Sequence, residues 1–157
     1  MAPESQLPPL VAIVGPTASG KTALGIALAK QFNGEVVSAD SRAIYAEMNI
    51  GTAKPTGQAT GEGPFRHIVS QGVPHYLLDF VSPTASYTVA HYKRDALAVI
   101  ADIQKRGKLA LLVGGTGLYV KAITDNLTWP KVPTNLALRR KLEQQTPDEL
   151  FTKLLAI

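Results

Sequence analysis

Gly15-Pro-Thr-Ala-Ser-Gly-Lys-Thr22 carries the pattern G-x-x-x-x-G-K-[ST], the signature of a loop that wraps a phosphate. Its flanks supply the context the pattern requires. Leu10-Val-Ala-Ile-Val14 predicts a short buried strand, and the run after Gly20, with Leu24, Leu28 and Phe32 four apart, predicts a helix. Gly15 and Gly20 allow the turn that aims successive backbone N–H groups at an anion. Lys21 can reach terminal phosphate oxygens, and the Thr22 hydroxyl suits a magnesium ion bridging them. Strand, loop and helix together predict that a phosphate or pyrophosphate binds here.

Working outward, Glu35-Val-Val-Ser38 predicts a second short strand that delivers Asp40 and Ser41 to its carboxyl end, where ligands sit in open α/β sheets. Residues 51–75 are rich in Gly, Pro, Thr and His without a sustained period, and read as a long surface passage. A third apolar stretch, Tyr76-Leu-Leu78, ends at Asp79. Ser86 or Thr88 is expected to cap a helix whose apolar positions are Tyr92, Ala96, Val99 and Ile103, with Gly107 stopping it. Leu109-Ala-Leu-Leu-Val113 is a continuous apolar run, the pattern of a strand covered on both faces. Gly114-Gly-Thr-Gly117 then opens a helical segment through Ile123. Trp129-Pro130 and Val132-Pro133 mark a boundary, beyond which 135–145 and 147–155 read as two helices, the second with Pro147 in its first turn. The expected fold class is α/β, a doubly wound parallel sheet followed by the start of a helical subdomain. The expected divisions are 1–9 as a flexible N-terminus, 10–126 as the α/β core and 127–157 as the beginning of the helical region.

Composition agrees with that scheme. At 157 residues and 45% hydrophobic, the chain suits one globular unit with its own core. The absence of cysteine excludes disulfides and thiolate metal sites. The first nine residues are polar and proline-rich, unlike a secretory signal, and no run has the length to cross a bilayer. The expectation is a cytoplasmic, monomeric enzyme without membrane association. The net charge of +4 is uneven: residues 1–60 balance four Lys/Arg against four Asp/Glu, so the whole excess lies later. Clusters such as Lys105-Arg106-Gly107-Lys108 and Arg139-Arg140-Lys141 suit a polyanionic partner, and suit solvated helix ends equally well.

Several residues could carry chemistry. ATPases usually hold magnesium with an acidic residue at the end of an apolar strand, but Leu109–Val113 runs into Gly114-Gly115-Thr116. No guanine-selecting Asn-Lys-x-Asp stretch is present either. A transferase that binds diphosphate as a leaving group fits better. Asp40 is the best general-base candidate, with capping of a short helix or holding of a magnesium-bound water as the alternatives. Ser41 offers a second polar contact. Thr17 lies inside the loop, either near the reacting group or as a plain turn residue. Lys54 is a phosphate or nucleic-acid contact, or a solvated loop lysine. His67, His75 and His91 lack metal-ligand spacing; His91 reads as a surface residue near a helix start, and His75, just before a strand, could serve the site. Thr116 lies in a glycine-rich turn where backbone can approach a ligand closely. Arg139 and Arg140 are nucleic-acid contacts or simply a charged helix face.

Taken together, Gly15–Thr22, Ser38-Ala-Asp-Ser41 with Tyr45, Met48-Asn-Ile-Gly-Thr-Ala-Lys-Pro55, Val73-Pro-His75, Arg94-Asp-Ala and Leu112-Val-Gly-Gly-Thr-Gly-Leu-Tyr119 closely resemble the bacterial and organellar tRNA dimethylallyltransferases, also called tRNA isopentenyltransferases. The resemblance covers residues 9–157. It implies a P-loop NTPase-like fold and transfer of a dimethylallyl group from dimethylallyl diphosphate to N6 of adenosine 37 in a tRNA anticodon stem-loop. It implies that Gly15, Pro16, Thr17, Ala18, Ser19, Gly20, Lys21 and Thr22 hold the diphosphate with Mg2+, Thr22 touching the metal. Asp40 would then be the base acting at N6, and Thr17 a hydrogen-bonding group at the reacting centre. Asp40, Ser41, Arg42 and Ala43 would line the place of the target adenine, flipped out of its stack. Thr116, Arg139 and Arg140 would belong to the tRNA-contacting surface.

Two departures stand out. Many members have Gln where this chain has Ala43, which removes a potential base-edge hydrogen bond. Members are also longer, their later part supplying another diphosphate-binding arginine and much of the anticodon-stem grip, so the chain is expected to correspond to an N-terminal part. Three other readings compete. An adenylate isopentenyltransferase shares the phosphate loop but usually differs after the base aspartate, so Asp40-Ser41 favours the tRNA enzyme. A small-molecule kinase would need an acceptor pocket beside Asp40. A phosphate-binding interaction module would bind RNA without turnover.

Overall fold

The computed structural model describes residues 9–130, 132, 133 and 135–156. The expected flexible N-terminus lies, for residues 1–8, outside the described residues. The strands are β1 (Leu10–Val14), β2 (Gly34–Ser38), β3 (Gln58–Thr60), β4 (His67–Ser70), β5 (Val73–Tyr76) and β6 (Leu109–Gly114), joined in one sheet ordered β1-β6-β2-β5-β4-β3. The first four in that order run parallel, and β4 and β3 close the sheet antiparallel. The helices are α1 (Lys21–Gln31), α2 (Val89–Lys105), α3 (Gly117–Thr124), α4 (Leu136–Glu143) and α5 (Pro147–Leu155). The α/β class is as expected, with a sheet that is parallel only in part.

Chain order explains the layers. The path from β1 through α1 to β2 skips one position in the sheet, and the path from β5 through α2 returns β6 into that gap. Right-handed crossovers made in opposite directions put their helices on opposite faces. One face packs Ile13, Val36, Val73, Leu111 and Val113 under Ile26 and Ala29 of α1. The other packs Val37, Tyr76, Ala110 and Leu112 under Tyr92, Ala96, Val99 and Ile103 of α2, with Tyr119 and Ile123 of α3. Ala110, Leu111 and Leu112 are completely buried, as a doubly covered strand requires. Thr88 caps α2 in a reciprocal box with His91, which places His91 in a structural role.

Four expectations need correction. β1 reads as a buried strand but is an edge: it pairs only with β6 among the described residues, and Val11 and Val14 are exposed. The apolar trio of α1 misleads, since Leu24 and Phe32 are exposed and the packed face is Gly25, Ile26 and Ala29. Small side chains mark that face because they let the helix approach the sheet closely. The surface passage 51–75 contains β3, a short 3-10 turn at Gly63–Phe65, β4 and most of β5. The apolar stretch Tyr76–Leu78 contributes only its first residue to a strand: β5 ends at Tyr76, and Leu77 turns into the left-handed region (φ +59°).

At the amino end of β2, Glu35 is buried. Arg106 grips both of its oxygens at 2.7 Å, Lys108 donates at 2.6 Å and the Tyr76 hydroxyl at 2.9 Å. Two cations of the basic cluster at 105–108 are therefore engaged by a buried carboxylate, while Arg106 stays partly exposed at the end of α2. Burial alone would favour the neutral acid, but the bonds from Arg106, Lys108 and Tyr76 outweigh it and lower the Glu35 pKa from 4.5 to about 2. A depressed carboxylate stabilises the fold above its unfolded pKa, and that stabilisation disappears as pH falls through the folded value. The window is thus pH 4.5 down to about 2, with a contribution on the order of 3 kcal/mol. Urea unfolding of the parent and Glu35→Gln at several pH values should show the parent losing more stability across that window. Parallel curves would contradict the assignment.

Candidate functional site

The carboxyl ends of β1, β6 and β2 lie side by side, so the segments that follow them meet at one edge of the sheet. After β1 comes the phosphate loop. Gly20 occupies the left-handed region (φ +82°) and α1 begins at Lys21. Lys21 Nζ turns back on the loop, donating to the Pro16 carbonyl and, at 3.4 Å, to Ser19 Oγ. Thr17 and Thr22 are exposed beside it.

After β2 the chain is clipped to the end of β6. The Ala39 N–H donates to the Val113 carbonyl at 2.8 Å, and the Thr116 N–H donates to the Ala39 carbonyl at 3.0 Å. Gly114 makes this contact possible, since a Cβ there would stand 2.2 Å from the Ala39 oxygen. Thr116 Oγ1 accepts the Ser41 N–H at 3.0 Å and donates to Ser41 Oγ at 3.2 Å. Asp40 Oδ1 accepts from the N–H groups of Arg42 at 2.8 Å and Ala43 at 3.2 Å, closing a tight turn. The capping role weighed for Asp40 is therefore present, and it uses one carboxylate oxygen. Burial and the neighbouring Tyr45 and Asp40 hold the Tyr119 phenol above its ordinary pKa.

A second clip braces the far side. Asp79 accepts Lys54 Nζ at 2.9 Å, Arg66 Nη2 at 3.1 Å and the Glu47 N–H at 3.2 Å. Burial opposes its ionisation, but the bonds from Lys54 and Arg66 prevail and lower its pKa. Lys54 also donates to the Tyr45 carbonyl at 2.6 Å and its side chain is 6% exposed, so it is neither a free phosphate contact nor a solvated lysine. Ala43 is buried against Ile68 and Leu78. It serves through its backbone, its carbonyl accepting the Asp79 N–H at 3.0 Å.

These segments enclose a cavity of about 460 Å³ lined by Pro16, Thr17, Ala18, Lys21, Thr22, Asp40, Ser41, Arg42, Ala43 and Thr116, together with His75 and the 51–55 segment. Residues far apart in sequence thus face one space. Arg139 and Arg140 do not line it. They stand on α4, where Arg139 pairs with Glu143 at 3.7 Å beside a separate apolar groove. Sequence reasoning missed the Gly114–Ala39 contact and the Asp79 clip, for which the only local signal was a carboxylate directly after an apolar run. No helix among the described residues is long and apolar enough to cross a membrane.

A phosphate loop at the carboxyl edge of a partly parallel sheet, with helices on both faces, defines a P-loop-like α/β protein. The chain belongs to the IPP transferase family, whose model matches residues 43–157, and the isopentenyl transferase model matches residues 8–66. It is 48% identical over 154 residues to a tRNA dimethylallyltransferase of Chloroflexus aggregans, covering 94% of this chain and 48% of that protein. It is 40% identical over 151 residues to one from Pelotomaculum thermopropionicum, covering 96% and 45%. The chain spans a little under half the length of these curated relatives. The structure of a full-length tRNA isopentenylpyrophosphate transferase from Bacillus halodurans matches with a TM-score of 0.69 at 44% identity, over 85% of this chain and 41% of that one. A eukaryotic dimethylallyltransferase acting on tRNA matches with a TM-score of 0.76 at 29% identity, over 94% and 35%.

Proposed function

We propose that this chain carries the donor site and base of an enzyme that moves a dimethylallyl group from dimethylallyl diphosphate to N6 of adenosine 37 in tRNA. The observation that carries the reading is the shared cavity, in which the phosphate loop and Asp40 face the same space. The N6 lone pair forms a bond to C1 of the allyl group, the C1–O bond breaks, and the diphosphate leaves with that electron pair. The amine proton passes to Asp40. Residues 15–20 surround the diphosphate, all but Pro16 offering a backbone N–H, Lys21 adds charge, and Thr17 hydrogen-bonds beside the reacting carbon. Ser41, Arg42 and Ala43 border the acceptor base, and Thr116 keeps Ser41 in place. Arg139 and Arg140 are read as outlying tRNA contacts.

No group of three or more His, Cys, Asp or Glu side chains among the described residues is arranged to hold a metal. Mg2+ commonly takes one or two protein oxygens and completes its shell with substrate phosphates and water. Thr22, exposed at the start of α1, is the residue to hold it. When bound, magnesium neutralises charge on the leaving diphosphate.

Incubation of the longest form of the protein, one that spans the length of its relatives, with radiolabelled dimethylallyl diphosphate and either tRNA or adenylate tests the reading, because residues 1–157 alone are expected to transfer poorly or not at all. Label in tRNA supports it, label in adenylate points to the free-nucleotide enzyme, and label in neither overturns it. Lys21→Ala should weaken donor binding at least roughly tenfold, a loss of about 1.4 kcal/mol, because a charge-assisted contact is removed while the backbone cradle stays. Calorimetric titration with unchanged affinity would remove Lys21 from the site.

A further inference from the structure

Between the Asp40 loop and β3, the segment 47–55 forms a knuckle braced from within. The Glu47 N–H donates to Asp79, the Asn49 N–H to the Glu47 carbonyl at 3.0 Å, and Thr52 Oγ1 to the Met48 carbonyl at 2.5 Å. Lys54 Nζ reaches back to Asn49 Oδ1 at 3.3 Å while it holds the Tyr45 carbonyl. Thr52 and the Lys54 side chain are buried. Glu47 (φ +63°) and Ala53 (φ +46°) sit in the left-handed region, which residues with a Cβ keep only where their surroundings fix it. At the tip of this braced loop stands Ile50, 98% exposed, with Met48 exposed two residues before it. A lone exposed aliphatic side chain is ordinary on a protein surface, but this one is held out by a loop whose base is fixed.

Sheet order places that tip relative to the chemistry. The phosphate loop follows β1, the Asp40 loop follows β2, and Asp79 follows β5, which pairs with β2 on the side away from β1. The knuckle tied to Asp79 therefore lies beyond Asp40 as seen from the phosphate loop. Residues 51–55 line the shared cavity, so Ile50 is the next residue out from its wall. The diphosphate belongs to the opposite end of this row, which leaves the acceptor RNA as the substrate that passes Ile50. An adenosine that reaches Asp40 has to leave its stack, and each neighbouring base then loses a covered face. Apolar side chains, isoleucine among them, wedge into such base steps and cover the bared faces. We propose that Ile50 is a wedge of this kind, filling the gap that the target adenosine leaves in the anticodon loop, an inference that rests on the tRNA-modifying reading above. An aliphatic group reads no base edge, so the wedge holds the flipped state without choosing the neighbouring bases.

Ile50→Ala is a mild change for the fold, because nearly the whole side chain meets only solvent. Transfer is measured with the longest form of the protein on two anticodon stem-loops, one intact and one with abasic nucleotides on both sides of the target adenosine. On the intact stem-loop kcat/KM should fall roughly tenfold in Ile50→Ala and recover in Ile50→Leu, the size expected for burying an isoleucine side chain. Affinity for dimethylallyl diphosphate should stay unchanged. On the abasic-flanked stem-loop the parent and Ile50→Ala should agree, since no neighbouring base is left to cover. An unchanged kcat/KM on the intact stem-loop overturns the inference, and so does an equal loss on both stem-loops. Failure of Ile50→Leu to recover also overturns it, and that variant decides alone if the parent does not use the abasic-flanked stem-loop. An active parent keeps the functional reading whichever way the variants fall. A parent that transfers no dimethylallyl group to the intact stem-loop overturns that reading, and this inference with it.

Discussion

On the proposed function, Asp40→Asn in the full-length enzyme is expected to lower the single-turnover rate of dimethylallyl transfer to an anticodon stem-loop by roughly 10²–10⁴ while donor affinity stays within a few-fold. The structure makes this substitution unusually clean. Asp40 Oδ1 is committed to the N–H groups of Arg42 and Ala43. Asparagine keeps a carbonyl oxygen for those two bonds, so the turn stands. Its other atom is an amide nitrogen, which donates hydrogen bonds and accepts no proton. The variant thus separates the fold of the loop from the basicity of the carboxylate. Rapid-quench transfer under excess enzyme reads the chemical step directly. A rate within a few-fold of the parent would reduce Asp40 to the cap of the 40–43 turn.

Gly114→Ala is the second large effect, and it acts through architecture. Its added methyl would stand 2.2 Å from the Ala39 carbonyl oxygen, a backbone atom that two hydrogen bonds around Ala39 hold in place. Relief requires moving either the end of β6 or the start of the Asp40 loop, and the bonds that Ala39 donates to the Val113 carbonyl and accepts from the Thr116 N–H are lost with it. The expected loss is at least about 3 kcal/mol in urea unfolding, the upper end of overpacking. Gly117→Ala is the matched control. Its Cβ would meet nothing within 4 Å, and it opens α3, where alanine is the better helix former. Equal stabilities for the two variants would show that the close approach at Gly114 has no energetic weight.

How much of this was legible follows from how local each signal is. The phosphate loop is an eight-residue pattern between a strand and a helix, all within two dozen positions, and it stood out at once. Asp40 was legible because it follows a strand directly. The Glu35 cluster was not, since Arg106 lies 71 positions away and nothing near Glu35 announces burial. The β3–β4–β5 meander was hidden for another reason. Its strands are three or four residues long, β3 is exposed throughout, and β5 contains Pro74. Neither alternation nor an apolar run has room to develop there. The α1 face was misread because large apolar side chains draw attention, while contact with the sheet is made by Gly25, Ile26 and Ala29. His75 was visible as a residue that could serve the site, but its buried Nε2, unpaired among the described residues, belongs to the tertiary structure alone.

The insertion of β6 between β1 and β2 acts as a ruler. The phosphate loop grows from the tip of β1 and the Asp40 loop from the tip of β2, so exactly one strand separates their roots. Neighbouring strands are spaced by hydrogen bonding alone, which sets those roots roughly 10 Å apart whatever the side chains do. In the proposed reaction a diphosphate, the allyl carbon and an incoming amine would be laid end to end between them, and a gap of two spacings gives such a row its length. Were β1 and β2 adjacent, the loops would crowd onto the same few ångströms and only the phosphate would fit. The span between the phosphate loop and the Asp40 loop is therefore gauged by backbone periodicity, leaving the lining residues free to decide which molecules fill it.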